Sequence, residues 1–119
     1  MQELIQGFLD EANELIVSAE ESILTLESTP GDKEAIGSVF RVLHTLKGSG
    51  AMFGFSSVSS FTHLLENIFD SVRAGKISVD KNIINLTFES FDLIKNLLQS
   101  ANSPIGKNQE EYDRLIQEF

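Results

Sequence analysis

The residues of this chain best placed to do chemistry lie in two short runs, Phe40–Gly54 and Ser59–Asp70. The first reads Phe40-Arg41-Val42-Leu43-His44-Thr45-Leu46-Lys47-Gly48-Ser49-Gly50-Ala51-Met52-Phe53-Gly54. Its apolar residues recur at helical spacing, yet two glycines sit inside it, each costing about 1 kcal/mol of helix stability relative to alanine. In a helical projection Gly50 falls within the apolar stripe, where a missing side chain allows close helix packing. Gly48 falls on the other side and shares a face with Gly37, Arg41, His44 and Ala51. His44 therefore lies on a face stripped of bulk, with Lys47 one turn along at its border. An accessible imidazole, room for a partner to approach and a nearby cation suit phosphoryl capture on nitrogen, a chemistry carried by positioning and electrostatics. The same spacing equally allows a solvent-facing histidine beside incidental glycines.

The second run places Ser59, His63, Glu66 and Asp70 together on a face flanking its apolar stripe. If the two runs form an antiparallel helical hairpin, their flanking faces meet along one groove. Glu66 could then accept a hydrogen bond from Nδ1 of His44. That bond would fix the tautomer, leave Nε2 unprotonated as the nucleophile and stabilise a charged phosphoimidazole. Spacing alone also allows an ordinary exposed glutamate at position 66. For His63 it favours a partly buried, hydrogen-bonded histidine.

The elements that must position these residues are helices throughout. Leu4, Ile5, Phe8, Leu9, Ala12, Leu15, Ile16, Ala19, Ile23 and Leu26 recur at three- and four-residue steps and predict a helix over 2–28, broken by Pro30 and Gly31. Asp32 is an N-cap for a helix over 33–53 with Ile36, Val39, Phe40, Leu43, Leu46, Gly50 and Phe53 inward, and Gly54 suits its left-handed stop. Ser56 or Ser57 can cap a helix over 57–74, with Val58, Phe61, Leu65, Ile68 and Val72 inward and Gly75 at its end. A fourth helix over 80–101 starts near Asp80 and turns Ile84, Phe88, Phe91, Ile94, Leu98 and Ala101 inward. Asn102, Ser103, Pro104 and Gly106 then break the chain before a short helix over 108–119, carrying Tyr112, Leu115, Ile116 and Phe119. There is no strand alternation and no internal repeat. Short loops favour antiparallel neighbours. The expected fold is all-α, a single domain over 1–119: an antiparallel up-down four-helix bundle with a short fifth helix at the C-terminal end. The nine phenylalanines read mostly as core packing.

Composition narrows the function. The 119 residues carry a net charge of -9, which argues against nucleic acid and anionic membranes as partners. With no cysteine there is no disulfide, thiol catalysis or cysteine zinc site. No apolar stretch approaches the roughly 20 residues that span a bilayer, and the acidic start does not read as a secretory signal, so a cytoplasmic domain is expected. A ferritin-like metal site needs two Glu-x-x-His elements, and neither His44 nor His63 is preceded by one, so no metal is expected. There is no Gly-x-x-x-x-Gly-Lys-Ser/Thr loop. The acidity is also uneven: Ala35–Leu65 holds no Asp or Glu, and its only fixed charges are Arg41 and Lys47. Acidic side chains there would repel a phosphoryl group.

His44-Thr45-Leu46-Lys47-Gly48-Ser49-Gly50 resembles the His-x-x-Lys-Gly signature of histidine phosphotransfer (HPt) domains. Phe53-Gly54-Phe55, Thr62-His63-Leu64-Leu65-Glu66-Asn67, the opening Phe8–Leu15 and Ile83-Ile84-Asn85-Leu86 are similar to the N-terminal phosphotransfer (P1) domains of CheA-type chemotaxis sensor kinases. The likeness spans nearly the whole chain, and Thr45 and Leu46 are small departures at positions that carry no chemistry. It implies that His44 is the phosphoacceptor, Glu66 its paired carboxylate, Lys47 and His63 supporting polar residues and Gly48 the space-leaving residue. Arg41 and Ala51 share that close-approach surface. It implies a monomeric carrier in a phosphorelay, loaded by the ATP-binding domain of a histidine kinase and unloaded to the aspartate of a response-regulator receiver of CheY or CheB type. The chain itself would bind no cofactor, ATP and Mg²⁺ coming with those partners. It would be the first domain of a larger kinase or a free-standing relative. A non-catalytic adaptor that only docks a receiver on the His44 face is the alternative.

Overall fold

The structure is a computed structural model that describes residues 2–99 and 106–118, the side chains of 106–110 excepted. Five helices follow one another: α1 Gln2–Ser28, α2 Lys33–Met52, α3 Ser56–Arg73, α4 Lys81–Gln99 and α5 Gly106–Glu118. No strand occurs among the described residues. The 27 residues of α1, at about 1.5 Å each, match the 40 Å long dimension of the molecule.

Local chemistry sets the boundaries. Asp32 accepts the amide of Ala35 at 3.0 Å and Asp80 that of Ile83 at 2.8 Å, so both acids satisfy a donor that the first helical turn leaves orphaned. Helix α2 stops one residue short of expectation, at Met52. Gly54 takes φ +84°, its amide bonds to the carbonyl of Ala51, and the Phe55 amide bonds to that of Gly50 at 2.8 Å. This six-to-one and five-to-two pair is a Schellman stop, and Gly75 at φ +79° repeats it after α3. Helix α3 begins one residue early, at Ser56, and neither Ser56 nor Ser57 caps it. Phe55 is the cap residue and offers no side-chain bond. The Schellman turn already fixes its backbone, and its ring packs on Phe8 at 5.3 Å. Helix α5 opens at Gly106, a residue expected in the preceding break. The expectations for Ala101, Asn102, Ser103, Pro104 and Phe119 lie outside the described residues.

Helices α1 to α4 form a closed ring in which α1 packs on α2 and α4, and α3 on the same two; α5 lies on α4. The α2–α3 contacts run antiparallel: Gly50 faces Val58 and Ser59, Lys47 and His44 meet Glu66, and Phe40 meets Arg73. Phe8, Ile16, Ile23, Val39, Leu43, Leu46, Phe61, Leu65, Phe69, Phe91 and Ile94 form the centre of the core. The phenylalanines divide. Phe8, Phe61, Phe69 and Phe91 are buried, but Phe40, Phe53, Phe55 and Phe88 are half-buried. Ile68, expected inward, is also only half-buried, and Leu4 is exposed although it continues the apolar spacing of α1. Phe53 stacks on Phe8 at 5.1 Å, so the half-buried rings beside the α2–α3 turn fasten that hairpin to α1. Among the described residues no helix is long and apolar enough to cross a membrane.

Candidate functional site

Helices α2 and α3 bring three of the expected site residues together. Nδ1 of His44 lies 2.7 Å from Oε2 of Glu66, and Nζ of Lys47 donates to Oε1 of the same carboxylate at 2.7 Å. The burial of the three is graded. The His44 side chain is 67% exposed, Lys47 30% and Glu66 7%. Glu66 is therefore no ordinary exposed glutamate: it is a buried carboxylate with each oxygen held by a donor. Burial alone pushes its carboxyl upward, but the bonds to Lys47 and His44, with their charges, outweigh that and hold it below the usual carboxylate range. An ionised carboxylate can only accept, so the proton between Glu66 and His44 belongs to Nδ1. In the neutral imidazole the lone pair is then on Nε2, the ring nitrogen without a partner among the described residues.

Two further features keep this geometry in place. Ser59 donates its hydroxyl to the Lys47 carbonyl at 2.9 Å. At Gly50 a Cβ would lie 3.4 Å from Cγ1 of Val58 and 3.5 Å from both the Phe55 carbonyl oxygen and the Ser59 amide nitrogen, so the two helices approach to backbone contact there. Gly48 is different. A Cβ at that position meets nothing within 4 Å, so no contact among the described residues asks for a glycine. With Thr45 and Ala51, also exposed, it leaves the surface beside His44 low. Arg41 is exposed one turn before His44 and forms no ion pair among the described residues.

His63 is not brought into the cluster. It is exposed and makes no side-chain hydrogen bond among the described residues, against the partly buried, hydrogen-bonded histidine that spacing favoured. The α3 surface turns Glu66 under α2 and leaves His63, one turn earlier, outside the helix interface. Two residues near His44 have no place in the sequence reading of the site. Phe40, expected in the core, lies with its ring 6.4 Å from that of His44, and the Arg73 guanidinium sits 4.0 Å from the Phe40 ring centroid. The four-residue spacing of Phe40 and His44 is the signal that could have found the first. Arg73 needs the register of the hairpin. Among the described residues no three His, Cys, Asp or Glu lie close enough to hold a metal ion.

The Hpt domain family model matches residues 3–104. The chemotaxis protein CheA of Borreliella burgdorferi is 39% identical over 97 residues, which are 82% of this chain and 11% of that protein. The chain thus spans about a tenth of the length of that curated relative, and 17% of the CheA of Salmonella typhimurium. Among solved structures, the CheA phosphotransferase domain from Thermotoga maritima superposes with a TM-score of 0.80 at 36% identity, over 85% of this chain and 96% of that one. The phosphorylated P1 domain of CheA3 from R. sphaeroides, solved in complex with CheY6, superposes with a TM-score of 0.84 over 99% and 96% of the two chains; at 24% identity this speaks for the fold.

Proposed function

This chain belongs to the Hpt domain family, and on that premise we propose that it is a phosphoryl carrier whose acceptor atom is Nε2 of His44. The observation that carries the reading is the buried Glu66 carboxylate, which takes up Nδ1 and Lys47 with its two oxygens and leaves the opposite ring nitrogen exposed. In the forward step the Nε2 lone pair attacks the γ-phosphorus of ATP held by a separate kinase domain. The N–P bond forms, the bond to the β,γ-bridging oxygen breaks, and ADP leaves with that electron pair. The imidazole keeps its Nδ1 proton and becomes a phosphoimidazole carrying positive charge in the ring. Glu66, already ionised and already bonded to Nδ1, lowers the energy of that charge without reorganising. Lys47 holds the second oxygen of Glu66 and adds a cation beside the incoming phosphoryl group.

In the return step an aspartate oxygen of a receiver attacks phosphorus, the N–P bond breaks and its electron pair returns to Nε2. The pairing of a relative's P1 domain with CheY6 supports a receiver of this kind as the partner. Nucleotide and Mg²⁺ belong to the kinase domain and the receiver in this scheme. The open surface at Gly48 and the absence of acids from Ala35 to Leu65 suit the close approach of either partner. Arg41 and Ala51 extend that surface, and His63 is assigned only a peripheral polar contact with a docked partner.

The test is incubation of the chain with γ-labelled ATP and the ATP-binding domain of a CheA-type kinase. Acid-labile, base-stable label is expected on the wild type and none on His44→Gln. Label retained by His44→Gln would show that another residue is the acceptor. Receiver binding without any label would favour the adaptor instead.

A further inference from the structure

The geometry points to Phe40 and Arg73 as positioning residues for the His44 imidazole, an assignment that rests on the acceptor role proposed above. A single hydrogen bond from Nδ1 to Glu66 holds one atom of the ring. It does not stop the ring from swinging about that anchored atom, and such swing moves Nε2, the atom that must meet phosphorus in line. A second restraint has to act on a ring face. Phe40 provides it from one turn earlier on α2: the two rings are 6.4 Å apart between centroids with their planes 17° from parallel, an offset stack.

Phe40 is itself fixed. It is half-buried against the core, and the Arg73 guanidinium lies 4.0 Å from its ring centroid. Arg73 also donates from Nη2 to Asp70 at 3.1 Å, an exposed pair that solvent screens and that adds little to the hold. The sequence of contacts Asp70, Arg73, Phe40, His44 thus crosses from the end of α3 to the exposed imidazole. It reaches the ring from its face, whereas Glu66 reaches it in its plane. Neither restraint replaces the other. Arg73 also sits where a helix C-terminus favours a cation, so the guanidinium is retained there by more than its aromatic partner.

The experiment compares wild type, Phe40→Leu, Phe40→Tyr, Arg73→Gln and the distant core variant Ile23→Val, all as the 119-residue chain. Single-turnover phosphorylation is followed against increasing concentration of the kinase ATP-binding domain, and the ¹⁵N shifts of the His44 ring are recorded. In Phe40→Leu the plateau rate is expected to fall about fivefold while the half-saturating concentration stays within about twofold. The ring nitrogens keep the Nδ1-protonated pattern that Glu66 sets, and their shifts move as the ring samples a wider range of orientations. Phe40→Tyr, which keeps the ring face, recovers most of the rate. Arg73→Gln loses less than Phe40→Leu, in the same direction, and Ile23→Val leaves both readouts in place. A wild-type plateau rate and unchanged ring shifts in Phe40→Leu would overturn the assignment. So would a Phe40→Tyr protein no better than Phe40→Leu, or an Ile23→Val protein with the same loss. A wild type that takes no label would overturn the acceptor reading together with this one.

Discussion

Two parts of the molecule tie helices together with carboxylates and cations, and they do so in opposite settings. Between α2 and α3, Glu66 is 7% exposed and meets Lys47 and His44. Between α4 and α5, Arg114 meets Glu89, Glu111 and Glu118, and all four side chains are 40% to 49% exposed. The number of ion pairs favours the second cluster, but solvent screens each of them and the long side chains lose entropy to hold one geometry. Docking of α5 is carried instead by Leu115, fully buried, and by Tyr112 against Phe61 at 5.5 Å. At Glu66 the charge is out of water, so each donor counts and the loss of either partner leaves a buried group short. Similar residue types thus make a surface decoration in one place and a preset electrostatic device in the other.

The sharpest way to break this contrast is Glu66→Ala. It removes a charge-assisted hydrogen bond of about 1.5–3 kcal/mol, so phosphoryl uptake should slow by roughly ten- to a hundredfold, with the helical circular dichroism nearly unchanged. Uptake at the wild-type rate would place Glu66 in the same class as the Arg114 carboxylates.

Acid titration separates the two regions next. The Glu66 carboxyl lies below its ordinary value of 4.5 when folded. Its stabilising contribution is therefore complete above that ordinary value and is lost as pH falls through the lower, folded one. Unfolding midpoints followed on acidification from about pH 6 to about pH 3 should fall more steeply for the wild type than for Glu66→Gln. Parallel curves would contradict the burial argument.

A smaller effect is expected at Gly48. Its site is open, so Gly48→Ala should raise stability by about 0.5–1 kcal/mol through helix propensity alone. Loading by the kinase domain should meanwhile slow, because the methyl group intrudes on the proposed docking surface. Faster or equal loading would remove the case for a space-leaving role. The smallest effect belongs to Arg114→Ala, which should move the unfolding midpoint by no more than about 2 °C and leave uptake unchanged. A large shift in either would erase the distinction between the clusters.

Much of this arrangement was legible beforehand, and the exceptions have a common cause. Asp32, Gly54, Gly75 and Asp80 act through their immediate neighbours, so their capping and stopping roles could be read directly. The pairing of His44 with Glu66 could be written down as a consequence of an antiparallel hairpin. The residues misjudged are those at the margin of the apolar stripe. Phe40 looked fully inward but is only half-buried against the core, its ring beside His44; His63 looked half-buried and is exposed; Ser56 and Ser57 looked like caps and are not. Each of these depends on how far a neighbouring helix reaches around, which no spacing within one helix contains.

By itself, then, the sequence determined that helices form, where most of them stop, and that an imidazole, a lysine and a glycine share one low, acid-free face. Those properties follow from the 3.6-residue period and from side chains acting on adjacent backbone. Only the tertiary structure decided that Glu66 is buried and doubly held, that His63 is left out, and that Phe40 and Arg73 stand against the imidazole face. The register of α3 on α2, set at Gly50 where the backbones touch, selects which side chains of the second helix lie under the first. That selection turns a glutamate at helical spacing into the group that fixes the proton on Nδ1.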